Sequence, residues 1–264
     1  MPNWPGNKIV FRRNEQAIDR MESAIKVSGD GEDLPCLPNQ RAVGKRFRYV
    51  YWWLAIFGIS MGYFEAAVVA DLRAVFCPDN TLFPLCIKFN RLGLIEIGRE
   101  FFSIVMLVAV ACLAGREPKA RVACFVILFG IWDIFYYVFL KLIIDWPASL
   151  LTWDLLFLIP VPWVAPVIAP VLVSLASIGG GFLVLRMSAR GIAWRCNRWC
   201  VMGFVLAVLI MVWSFGLDWR NIASGGVPRS FPWGIFCAGE LLLIGVFSFV
   251  YRVSLNRALH ESNH

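Results

Sequence analysis

The chain has 264 residues, of which 59% are hydrophobic and only 16% charged, with a mean hydropathy of +0.67. That is more apolar surface than one soluble core of this size encloses, so lipid must cover the rest. The net charge of +7 would suit a nucleic-acid partner, but the placement of the basic residues excludes that reading in favour of membrane topology.

Residues 1–46 are polar and charged and lack the continuous apolar core of a cleavable signal peptide, so the first apolar span is expected to serve as the targeting signal. Within this tail Ile18, Met21 and Ile25 recur at helical spacing. That pattern fits a short amphipathic helix on the membrane surface, and equally a partly ordered tail. Crossing roughly 30 Å of hydrocarbon takes about 20 apolar residues in a helix. Six runs meet that length: Phe47–Ala70, Leu92–Ala114, Val122–Ile144, Trp163–Leu185, Trp199–Leu217 and Phe231–Val253. The expected fold is therefore an all-α integral membrane protein of six transmembrane helices over residues 47–253, with a tail at 254–264. Leu150–Ile159 is also apolar, but as a helix it would rise only about 15 Å. It is expected to form a short re-entrant or interfacial helix before the fourth span.

Orientation follows from the basic residues. Eighteen Lys and Arg fall in the N-terminal tail, the second and fourth loops and the C-terminus, six fall on the opposite side, and Arg99 lies within a span. The positive-inside rule places both termini in the cytoplasm, in a multi-pass protein of the cell membrane (the inner membrane if the source is bacterial). Among the six on the opposite side, Arg73 reads as a loop residue whose side chain reaches water.

That orientation puts Cys77 and Cys86 together in the first exoplasmic loop, CPDNTLFPLC. The compartment is oxidising and the nine-residue separation closes a disulfide readily. Cys196 and Cys200 stand four apart, on one face of a helix, with no neighbouring histidine to complete a zinc site. They read as reduced, structural thiols.

The acidic residues carry the functional signal. Outside the two tails, only Glu117 falls on the cytoplasmic side; the others occupy outer loops, the outer halves of spans or, for Asp133, the middle of the third span. Glu65, Glu96, Glu100, Asp133 and Glu240 lie inside hydrocarbon-length segments. A charge at a helix centre costs about 2.5–3.5 kcal/mol on insertion scales, so such side chains are expected to face protein or trapped water. In the second span Glu96, Arg99 and Glu100 share one helical face and neutralise one another only in part. In the third, Asp133, Tyr137 and Lys141 form a stripe, with Tyr136 beside it and Lys141 near enough to the surface to snorkel.

The segment WPASLLTWDLLFLIPVPWVAPVIAP follows. Pro160, Pro162, Pro166 and Pro170 each lack an amide donor. Broken backbone at membrane depth is tolerated where it is buried in protein or lines a wet cavity, and Asp154 lies on the arm of this break. Two Trp-Asp pairs, Trp132-Asp133 and Trp153-Asp154, place an indole N–H beside a carboxylate. Further on, Ser174, Ser177 and Gly179–Gly181 suit close helix packing.

These positions define a candidate pocket of Glu65, Glu96, Arg99, Glu100, Asp133, Tyr137 and Asp154, with Glu240 on its far wall. Three readings fit it. The first is a binding or transport site for a cation, a proton or a small solute. The second is a structural or accessory subunit of a membrane complex, or a homo-oligomer, whose buried charges pair across helices. The third is an enzyme on a lipid substrate, using a carboxylate base and a divalent cation held by Glu96, Glu100, Asp133 or Asp154. No resident cofactor is expected. The only histidines are His260 and His264, which argues against bis-histidine haem, and no phosphate loop or serine elbow is present. Membrane lipids are the one partner common to all three readings.

Overall fold

Local signals set where the helices begin and end. The third span starts with Pro118 in its first turn after an extended Glu117, and stops where Asp145 turns left-handed at φ 53°. The fifth starts where the Asn197 side chain accepts the Cys200 amide at 2.9 Å, an N-cap bond. A computed structural model describes residues 39–77, 82–84 and 91–262. In order they form α1 (Asn39–Phe76), α2 (Arg91–Ala114), α3 (Pro118–Ile144), β1 (Trp153–Phe157), β2 (Trp163–Pro166), α4 (Ile168–Ala189), α5 (Arg198–Gly216), α6 (Trp219–Ala223) and α7 (Trp233–Ser262). The tail stretch around Ile18, Met21 and Ile25, and Cys86, lie outside the described residues.

Six of these helices, α1 to α5 and α7, are long and apolar enough to cross a membrane. The chain is a polytopic helical membrane protein. Several helices run past the expected span ends: α1 covers Asn39–Phe76, α3 starts at Pro118, α4 ends at Ala189, and α7 continues to Ser262.

The segment before the fourth span corrects the expectation of a short re-entrant or interfacial helix there. Trp153–Phe157 is extended and pairs antiparallel with Trp163–Pro166, matching Asp154 to Ala165 and Leu155 to Val164, with an irregularity between Leu155 and Phe157. The fourth helix consequently starts at Ile168 rather than Trp163. The reason is legible in the prolines. Besides removing amide donors, Pro160, Pro162 and Pro166 push the residues before them, Ile159, Val161 and Ala165, out of the α region into extended backbone. Two further amide bonds, Val167 N to Thr152 O at 3.0 Å and Ile168 N to Leu150 O at 2.8 Å, tie the base of the hairpin to the start of α4.

A two-stranded hairpin is marginal by itself, so packing must hold it. One core joins α1, α2, α3 and α4 around Leu54, Leu107, Leu128 and Trp132; a second joins β2, α4, α5 and α7 around Ala165, Met211, Phe215 and Phe236. The hairpin bridges them: Phe157 lies against Trp132, while Trp163 stacks on Phe215 and Trp153 meets Phe231 edge-on.

Small residues bring α1 and α4 close onto α3, because lipid supplies no hydrophobic force between helices and contact must come from close packing. A side chain at Gly62 would stand 3.0 Å from the Trp132 carbonyl oxygen, and one at Gly130 only 2.6 Å from the Ser174 carbonyl oxygen. Gly62 thereby lets α1 sit on α3 one turn before Glu65. Gly130 does the same for α4, one turn before Asp133.

Candidate functional site

The polar side chains converge between the C-terminal part of α1, the N-terminal half of α2, the C-terminal half of α3 and β1. They surround a cavity of about 70 Å³. From α1 come Glu65 and Arg73; from α2 Glu96, Arg99 and Glu100; from α3 Trp132, Asp133, Tyr136 and Tyr137; and from the hairpin Asp154 and Leu158.

Arg99 ties the first two helices together. Its Nε donates to both carboxylate oxygens of Glu96 at 3.0 Å, and its Nη1 donates to Glu65 on α1. Glu100, one position on, turns to the hairpin instead: its two oxygens accept the Leu158 amide at 2.9 and 3.2 Å. A backbone donor left over by strand pairing is thus satisfied by a buried carboxylate.

On the hairpin, Asp154 is 1% exposed. It accepts from Arg73 Nη2 and from the Tyr137 hydroxyl, both at 3.1 Å. Burial raises its carboxyl above the ordinary range, against the opposing pull of Arg73 and of the Tyr137 hydroxyl. The Arg73 guanidinium also lies 3.8 Å from the centre of the Trp146 ring, a cation–π contact.

Asp133 sits deeper along α3 and accepts a 2.8 Å hydrogen bond from the Ser174 hydroxyl on α4. No basic side chain pairs with Asp133 or Glu100 among the described residues. Among the described residues, Trp132 Nε1 and Arg73 Nε are buried donors at the cavity with no acceptor. The Trp132 indole therefore does not orient the Asp133 carboxylate beside it in sequence.

Seven of the eight residues singled out from sequence, Glu65, Glu96, Arg99, Glu100, Asp133, Tyr137 and Asp154, line this one cavity. Glu240 does not. Its α7 neighbour Gly239 packs against Ala207 and Met211 of α5, and one Glu240 carboxylate oxygen is buried without a partner among the described residues. Lys141 leaves the stripe as well, pairing at 2.7 Å with the exposed Asp145. Arg73 is the converse correction: it is buried and holds Asp154 instead of reaching water. Its spacing carried the signal, since Glu65, Val69 and Arg73 are four apart and share one face of α1.

Protein-family models, curated proteins and solved structures offer no match to this chain. Its chemistry must be read from the cavity alone. The cavity's volume is enough for several water molecules or a small ion with part of its hydration, since one water needs about 10–15 Å³ measured this way. No group of three or more His, Cys, Asp or Glu side chains among the described residues is placed to hold a metal ion. Cys77 is buried at the end of α1, while its expected partner Cys86 lies outside the described residues.

Proposed function

We propose that the cavity binds a proton or a small monovalent cation within the membrane and passes it across the bilayer. One observation carries the reading. Five carboxylates share the cavity with two arginines, and Arg99 and Arg73 are already engaged by Glu65, Glu96 and Asp154. Glu100 and Asp133 are then left with neutral hydrogen-bond donors only. Away from bulk water, an uncompensated carboxylate takes up a proton or a cation. The orphan donors Trp132 Nε1 and Arg73 Nε call for acceptors, which water bridging them to the carboxylates would supply.

The test is uptake by the full chain reconstituted in liposomes, with an interior pH dye and, separately, with sodium- and potassium-sensitive dyes. Flux above that of protein-free vesicles supports the proposal, and its absence for protons and both ions defeats it.

A second reading, that these charges serve assembly, is favoured by contacts that join different elements: Arg99 links α1 to α2, Arg73 links α1 to β1 and Glu100 links α2 to the hairpin at Leu158. On this view the chain belongs to a larger complex or a homo-oligomer. Substitution of Asp133, which makes no ion pair, separates the two readings.

The basic residues favour cytoplasmic termini, and the cavity lies at the α1–α2 loop end, which that orientation makes exoplasmic. A thiol-reactive probe that cannot cross membranes is expected to label cysteine introduced at Asn80 from outside, and at Gly115 and Gly191 only after permeabilisation. Outside labelling at Gly191 would reverse the assignment. In the parent protein, isolated without reductant, mass spectrometry is expected to find Cys77 bridged to Cys86.

A further inference from the structure

A second cavity, of about 180 Å³, lies between the hairpin, the C-terminal end of α5 and the segment that leads into α7. Trp153, Phe215 and Phe231 contribute to its wall, with Asp218, Arg229 and Ser230 also lining it. The aromatic rings brace one another: Phe215 and Phe231 stack with centroids 6.1 Å apart, and Trp153 meets Phe231 at 6.2 Å.

The two charged residues of this cavity do not pair with each other. Asp218 accepts the backbone amide of Arg229 and the Asn221 side-chain amide, both at 3.1 Å. These neutral donors leave its negative charge uncompensated. The Arg229 residue is exposed, and its guanidinium forms no ion pair among the described residues. One lining thus presents an aromatic wall beside a carboxylate, with a separate guanidinium. Aromatic faces and a carboxylate hold an ammonium group, and a guanidinium with a neighbouring hydroxyl holds a phosphate.

Position narrows the source of such a ligand. The cavity lies where α5 ends and the segment into α7 begins, and its lining residues Asp218 and Pro232 are followed in sequence by Trp219-Arg220 and Trp233, residues of the kind that mark the boundary between hydrocarbon and headgroups. Arg220 and Trp219 are themselves in cation–π contact. We propose that this cavity is a lipid site that takes the headgroup of a zwitterionic, amine-bearing phospholipid, with the ammonium against the aromatic wall and Asp218, and the phosphate at Arg229 and Ser230. The acyl chains then run along the apolar faces of α5 and α7. This proposal is independent of ion binding at the first cavity.

The test uses the full chain reconstituted in nanodiscs of equal phosphatidylcholine, phosphatidylethanolamine and phosphatidylglycerol, then extracted in mild detergent for native mass spectrometry. One retained lipid is expected, phosphatidylcholine or phosphatidylethanolamine, favoured over phosphatidylglycerol by about tenfold. Arg229→Gln, at an exposed position whose backbone bond to Asp218 is kept, should lower that retention about tenfold with no change in melting temperature. Asp218→Asn should erase the preference over phosphatidylglycerol. Equal retention of the three lipids, no retained lipid, or unchanged retention in Arg229→Gln would overturn the proposal.

Discussion

Asp133→Asn is expected to abolish cation or proton uptake by the reconstituted protein while leaving it folded and inserted. The substitution keeps shape and removes charge. Asp133 makes one hydrogen bond, from the Ser174 hydroxyl, through an oxygen that asparagine also has. Among the described residues it forms no ion pair whose partner would be stranded. A neutral amide is also cheaper than a carboxylate near the middle of a span, where the charge costs about 2.5–3.5 kcal/mol. Yield and melting temperature should therefore hold or rise as flux disappears. A fall in yield with loss of assembly would favour the structural reading, and full flux in the variant would remove Asp133 from the site. Ser174→Ala provides a milder companion, deleting the one donor to the carboxylate while the charge stays.

The largest stability losses are expected at the two arginines. Arg99→Ala strands Glu65 and Glu96, both less than a tenth exposed, and Arg73→Ala strands Asp154 and uncovers the Trp146 ring. Removing one partner of a buried pair costs about 3–5 kcal/mol, much of it the penalty of leaving the other charge unpaired. Both variants should fall in that range in unfolding experiments in detergent, with the exposed Arg116→Ala as a control within about 0.5 kcal/mol of the parent. Sequence alone would rank Arg73 with that control. The double variant Arg73→Ala/Asp154→Asn is informative because it removes the stranded charge along with the pair. It should recover part of the loss, and the coupling is read from the cycle of single and double variants. An Arg73→Ala protein as stable as the control would mean that Arg73 does not hold Asp154.

Much of this protein is fixed by one-dimensional information. The six spans follow from run length and composition, because the hydrocarbon thickness sets the length of helix needed wherever the chain crosses. The ends of α3 and α5 follow from residues at the break itself, Pro118 and Asn197. Membership of the polar cavity is also largely legible, since the high cost of isolated charge in lipid makes Glu65, Glu96, Arg99, Glu100, Asp133 and Asp154 seek shared surroundings.

What sequence left undecided depended on partners distant in the chain. The prolines at 160, 162 and 166 rule out a helix, but strand pairing arises only because Trp153–Phe157 and Trp163–Pro166 are wedged between two packed cores. Arg73 reads as a loop charge until Asp154, 81 residues later, is brought to within 3.1 Å of it. Glu240 falls within an apolar span as the other acids do, yet α7 packs on α5 and the residue is only half-buried there, outside the polar cavity. Cost of burial tells a charge to find a partner, and helix packing decides which one: Gly62 and Gly130 bring α1 and α4 onto α3, so the polar interior forms where those helices meet.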